Sequence, residues 1–210
     1  PVETLAAHVV RARFEDLPQD AVNATKTFIL DSIGVGVAGS DGPWVRELIE
    51  TTKQWGTGDD ARVFVHGTRL PATSAAIVNA YQIHCLEYDC VNEDAVIHPM
   101  ATILGAVSAE ADRAGGYSGK DLILAVALGV DASCVLGVSS RAPMRFLRPS
   151  SAAAIAWWSP LTLDLRRLRR FMRPIISRSW SRPGVSGRKS VARRKSFLMC
   201  IRGALQMPHR

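Results

Sequence analysis

Thr73-Ser-Ala-Ala-Ile-Val-Asn79-Ala-Tyr-Gln-Ile-His84-Cys-Leu-Glu87-Tyr-Asp89-Cys-Val-Asn-Glu-Asp94-Ala-Val-Ile-His98-Pro99 is the stretch on which the reading of this chain turns. Its first half is rich in alanine and spaced for a helix from Thr73 to about Tyr88. Its second half gathers acids and then reaches His98-Pro99. A proline tolerated at a first helical position, with His98 on the capping side, predicts a new helix running to about Arg113. Gly115-Gly116 then breaks it. Ser118-Gly-Lys-Asp121 has capping-box spacing, with Asp in place of Glu, ahead of an apolar helix from Leu122 to Leu136.

Upstream the same pattern holds. A helix is predicted over Leu5 to Phe14. After Leu17-Pro18 a second follows, with Ala21, Ala24, Phe28, Ile29, Ile33 and Val35 as its apolar stripe. Gly34, Gly36 and Gly39 close it, by close packing or as a helix stop. Trp44 to Trp55 fits a third helix. Gly56 to Asp60 is a loop, and Arg62-Val63-Phe64-Val65 is a short strand candidate closed by Gly67. The fold class expected is mainly α, a helical bundle. No glycine-rich loop follows a strand here, so a nucleotide site is not expected.

Charge divides the chain. It holds 26 Lys+Arg and 19 Asp+Glu, a net of +7. Residues 1–140 carry 9 Lys+Arg and 18 Asp+Glu, net −9, whereas residues 141–210 carry 17 basic residues and one acid, Asp164, net +16. The basic segment also holds six of the eleven prolines and three of the five tryptophans. One reading is a basic arm that folds on nucleic acid or anionic lipid. The other is a GC-rich gene translated out of frame. The second is preferred, because the arginines mark no helical face and the tryptophans no binding pattern, so nucleic acid is not the expected partner. Only Leu161 to Met172 is spaced for a helix there. The boundary is placed so that residues 1–148 form an incomplete helical domain and residues 149–210 an irregular basic tail.

The four cysteines form no Cys-x-x-Cys pair, and no signal peptide is visible, which leads to a reduced, cytoplasmic setting as the expectation. Leu122 to Leu136 contains Asp131 and is too short to cross a bilayer, so no membrane partner is expected.

Within 79–99 the chemistry-bearing side chains are Asn79, His84, Cys85, Glu87, Asp89, Cys90, Asn92, Glu93, Asp94 and His98. A helix continuing past His84 would place His84, Glu87 and Tyr88 on one face, and Cys85 and Asp89 on a neighbouring one. At the start of a helix the dipole favours a neutral, proton-accepting imidazole at His98, and the free N–H groups there suit an anion. His98 is therefore the leading candidate for proton transfer, with a carboxylate to hold its other nitrogen. The competing readings are ordinary ones: His84 as a packed, hydrogen-bonded histidine, and Glu93 and Asp94 as a solvated loop. His84-x-x-Glu87 beside Cys85 lacks a second ligand pair, so no metal is expected, nor any other cofactor. Acids around Cys90 disfavour its thiolate and exclude it as a nucleophile.

The segment Ala75 to Val91 with Ala95-Val-Ile-His98-Pro99 resembles the central signature of the MmgE/PrpD family. Two further segments resemble it in the same order: Leu17-Pro18 through Leu30-Asp31-Ser-Ile-Gly34-Val-Gly36-Val-Ala-Gly39-Ser40, and Gly119-Lys-Asp-Leu-Ile-Leu-Ala-Val-Ala-Leu-Gly129. The resemblance covers about residues 5–140. It implies an all-helical large domain, a smaller α/β lid with the active site between them, and a homodimer. The reaction it implies removes or inverts a proton next to a carboxylate of a small di- or tricarboxylic acid, with loss of water or CO2 in the lyases. Members dehydrate 2-methylcitrate, decarboxylate cis-aconitate or epimerise iminodisuccinate. Glu-Tyr-Asp-Cys-Val, where many members have Asp-Phe-Asp-Asp-Thr, looks closer to the epimerase-like branch.

By that resemblance Glu87 and Asp89 match the two acids of the signature and His98 the histidine before proline. These three are the expected catalytic residues. Val91 stands where many members have threonine. Arg148-Pro149 matches a further substrate-contacting position, so Arg145 and Arg148, with His84, are the expected substrate contacts. The lid, with its lysine and tyrosine, has no counterpart here. The chain thus reads as a truncated lyase or epimerase with little activity by itself, or as a non-catalytic, dimerising helical fragment.

Overall fold

Prolines open three of the helices. In the computed structural model, which describes residues 2–139, Pro18 caps α2 (Gln19–Ala38), Pro71 caps α4 (Ala72–His84), and Pro99 is the first residue of α5 (Pro99–Arg113). A ring that fixes φ and lacks an N–H loses nothing at a helix start, where the N–H has no partner within the helix. The remaining helices are α1 (Val2–Arg11), α3 (Val45–Lys53) and α6 (Gly119–Ser139). The capping box of α6 forms: Asp121 N–H donates to Ser118 Oγ at 3.2 Å and Ser118 N–H to Asp121 Oδ2 at 3.3 Å. Among the described residues the fold is mainly α. The boundary at 148/149, the irregular tail and the helix expected over 161–172 lie outside them.

Three expectations are corrected. The strand is only two residues long: Ala61–Arg62 (β1) pairs antiparallel with Arg69–Leu70 (β2), because Val65 takes a left-handed φ of 65° that ends the extended run. Ile33 is 45% exposed, since the buried face of α2 runs through Ala21, Ala24, Thr25, Ser32, Val35 and Gly36 instead. The apolar helix α6 is 21 residues, longer than expected, and by length and composition alone is long enough to cross a membrane. Ten of its 21 residues are buried against its neighbours. Asp131, in its middle, is buried and meets His8 Nε2 at 2.9 Å.

The main core forms where α4, α5 and α6 meet: Ile83, Met100, Ile103, Leu104, Val107 and Val126, with Phe28 and Ile29 of α2 packed against them. A second cluster, including Val45, Ile49, Val63, Leu70 and Val78, seats α3 and the two-stranded ribbon on α4. The ribbon is also held by polar groups. Asn79, fully buried on α4, accepts from Phe64 N–H at 2.9 Å and donates to Arg62 O at 3.0 Å. Arg62 in turn donates through Nε and Nη2 to the two carboxylate oxygens of Asp112 on α5, at 3.0 and 2.7 Å.

Asn79→Ala is expected to destabilise the chain by about 2–3 kcal/mol, because two backbone groups next to the core lose their partner. The measurement is the urea midpoint, which should fall with the slope unchanged. A midpoint that does not move would mean that water replaces both bonds.

Candidate functional site

α4 stops at His84, not at Tyr88. Cys85 N–H still bonds to Tyr81 O, and then Glu87 N–H donates to His84 O at 2.8 Å in a turn that puts Glu87 at a left-handed φ of 53°. That turn swings the chain so that Asp89, instead of moving round the helix, comes back under His84. Its carboxylate is 0% exposed and takes His84 Nδ1 at 3.0 Å to Oδ1.

The next nine residues form a tight loop. Asn92 and Ile97 pair across it, with N–H···O distances of 2.9 and 3.3 Å, and the Asn92 side chain accepts from Ala95 N–H at 2.8 Å. Val96 closes the loop at φ 51°. Left-handed φ in a β-branched residue is strained and persists only where its surroundings impose it. Here Ala95 is fully buried and α6 presses on the loop: a Cβ at Gly137 would lie 2.7 Å from Ala95 Cβ and 2.9 Å from Ala95 O. Only a residue without a side chain lets the loop seat this deeply, and the loop delivers His98 to Asp89.

Asp89 therefore stands between two imidazoles. His98 Nδ1 is 3.2 Å from the same Oδ1, and the two rings meet edge to face with centroids 4.8 Å apart. The His98 contact is within ion-pair reach, yet it is not aligned as a hydrogen bond, so this buried Nδ1 has no aligned partner among the described residues. The His98 side chain is 32% exposed overall. Since Nδ1 is covered, that exposure belongs to the rest of the ring. Glu87 is 74% exposed, 3.5 Å from His84 Nε2 through Oε1, and reaches the cluster only through that ring.

His84, Glu87, Asp89 and His98 are thus brought together. Arg145 and Arg148 lie outside the described residues. Among the described residues His84, Asp89 and His98 also form a group able to hold a metal ion, with one ligand atom from each within 4.8 Å of the others. By local spacing alone His84-x-x-Glu87 lacks a second ligand pair. His98, fourteen residues further on, supplies what the local spacing lacks.

Cys90 follows Asp89, and its thiol is pushed up to about 12 by burial first, then by the negative fields of Asp89 and Asp31. The backbone N–H of Met100, at the start of α5, works in the opposite direction. Cys90 in the folded chain is expected to react with iodoacetamide at pH 8 about 10³-fold more slowly than an ordinary thiol, since the thiolate is the nucleophile. Its rate should rise about tenfold per pH unit. Peptide mass spectrometry after timed alkylation measures this, and labelling as fast as in urea would contradict the burial.

Residues 3–162 match the family model described as the MmgE/PrpD N-terminal domain. The match extends past residue 148 into the basic segment. Cis-aconitate decarboxylase of Aspergillus terreus is 29% identical over 127 residues, covering 59% of this chain and 26% of that protein. The Mus musculus cis-aconitate decarboxylase is 28% identical over 175 residues, covering 77% of this chain and 36% of its own length. The Homo sapiens protein of the same name is 28% identical over 133 residues, or 61% and 27%. The chain spans about a quarter to a third of the length of these curated relatives.

Proposed function

The chain belongs to the MmgE/PrpD family, and from that premise we propose that its helical domain supplies the proton-handling wall of a lyase acting on a small di- or tricarboxylic acid, cis-aconitate being the first candidate. The relatives named above are cis-aconitate decarboxylases, which is why the reading commits to a lyase and takes epimerisation as the alternative.

The observation that carries the proposal is the buried Asp89 carboxylate set against the Nδ1 of a half-buried His98. A carboxylate behind one imidazole nitrogen favours the proton on that nitrogen and leaves Nε2 to exchange a proton with substrate. Asp89 is a positioning residue in this scheme, and His98 is the catalytic one. In a decarboxylation the bond from carbon to one carboxylate breaks, CO2 leaves, and the electron pair left behind is taken up by a proton. His98, when it carries the extra proton, delivers it from Nε2 and is recharged from solvent. The substrate's other carboxylates need cations to hold them, which the acidic 1–140 segment offers sparsely. Arg145 and Arg148 are proposed for that task. The pairing of this wall with further residues in a homodimeric, cytoplasmic enzyme belongs to the same proposal.

The test is binding and turnover together. Cis-aconitate, 2-methylcitrate and iminodisuccinate are added to the chain while the ring signals of His98 are followed by NMR and CO2 release is measured. The expected result is a saturable shift of the His98 signals with cis-aconitate, absent in His98→Ala, accompanied by CO2. No shift with any of the three acids and no CO2 would overturn the proposal.

A further inference from the structure

Three of the side chains between positions 84 and 98 are placed for a second kind of chemistry. His84 Nδ1 and His98 Nδ1 lie 3.0 and 3.2 Å from one oxygen of Asp89, and one ligand atom from each residue falls within 4.8 Å of the others. Four-coordinate Zn2+ with nitrogen and oxygen ligands at about 2.0–2.2 Å holds neighbouring ligand atoms about 3.3–3.6 Å apart. Small rotamer changes therefore suffice to surround an ion, without moving the backbone. Two imidazoles and one carboxylate make a borderline donor set that suits Zn2+ or Co2+ better than Mg2+ or Ca2+.

Two further observations point to an ion at this position. The His98 Nδ1 is buried without an aligned hydrogen-bond partner among the described residues, so an ion that displaces its proton breaks no hydrogen bond there. His84 turns its other nitrogen, Nε2, towards Glu87 Oε1 at 3.5 Å. A carboxylate behind the free nitrogen is the usual arrangement for a metal-ligating histidine, because it fixes the ring and strengthens the ligand. It also gives the exposed Glu87 a reason to adopt its strained φ.

We propose that His84 Nδ1, the Asp89 carboxylate and His98 Nδ1 form a three-ligand site for a Zn2+-class ion, oriented by Glu87 and open to solvent at its remaining position. A metal on His98 Nδ1 leaves the ring proton on Nε2, which then cannot accept another. The ion and the proton transfer assigned to His98 therefore exclude one another, and Zn2+ acts here as a reversible block. The site does not depend on the lyase reading, because its geometry would be the same in a catalytically silent chain.

The experiment is a Co2+ titration of the full chain followed by visible absorption, then displacement by Zn2+. One Co2+ per chain is expected, with the bands of a four- or five-coordinate nitrogen–oxygen site and none of thiolate charge transfer. His84→Ala and His98→Ala should each weaken binding at least 100-fold, and Glu87→Gln about 10-fold, as measured losses of orienting carboxylates suggest. Circular dichroism checks that each variant remains helical. Since Glu87 is exposed, its variant gives the answer even where a histidine variant does not fold. Absence of stoichiometric Co2+ binding, thiolate bands, or binding indifferent to both His84→Ala and Glu87→Gln would overturn the proposal. None of these readouts uses turnover, so a failure of the lyase reading leaves the metal test intact.

Discussion

His98→Ala is expected to lower CO2 release from cis-aconitate about 10²–10⁴-fold, the usual range for loss of a positioned acid–base group. The fall should appear in kcat, with KM changed little, because His98 is assigned to the reacting proton and not to the carboxylates that bind. Asp89→Asn separates the two roles proposed for this pair. It preserves shape, but an amide no longer fixes which His98 nitrogen holds the proton, so kcat falls while the His98 ring stays in place. A structural role alone would lower the melting temperature of both variants and leave kcat per folded molecule unchanged. Equal kcat in wild type and His98→Ala would remove His98 from the mechanism.

Much of the helical scaffold was legible because its signals are local. His98-Pro99 gave the start of α5, since a proline at the first turn has only one comfortable register. Ser118 and Asp121 gave the start of α6 through two reciprocal hydrogen bonds that the structure contains. What was not legible depends on contacts across the chain. Val63 to Val65 has β-forming residues, yet Val65 turns left-handed where Phe64 is fixed by Asn79 and Gln82 of α4. Ile33 fits the apolar spacing, but a 20-residue helix buries only the face its neighbours cover.

The site shows the same division more sharply. The residue types and the region were readable, and so was the high thiol of Cys90. The way the groups meet was not. Extending α4 past His84 would place Asp89 one face away from it, whereas the left-handed turn at Glu87 puts the two 3.0 Å apart. No glycine or asparagine marks that turn, and a second such position, Val96, is even less expected from its side chain. The one at Val96 is imposed from outside, by packing of the 90–98 loop against α6 at Gly137. A constellation made by two strained turns leaves no periodicity to find.

The largest stability effect is expected at Gly39, where α2 ends against α4. A Cβ built there would lie 2.0 Å from Gln82 O and 3.1 Å from Cys85 Sγ. The obstacle is backbone, so no rotamer change relieves it, and the last turn of α4 must move. Gly39→Ala should cost about 3 kcal/mol, at the upper end for overpacking. For a domain of this size that corresponds to a fall of on the order of 10 °C in Tm. Because His84 is the last residue of α4, the same shift should disturb its contact with Asp89 and move its ring signals by NMR. Gly34→Ala, inside α2 itself, is the matched control. Its Cβ meets nothing within 4 Å, and the change should raise stability by up to about 1 kcal/mol through helix propensity alone. Two variants, one inside α2 and one at its C-cap, with the same added methyl group, should therefore move Tm in opposite directions. If both raise it, α2 and α4 are not in the contact that sets the position of His84.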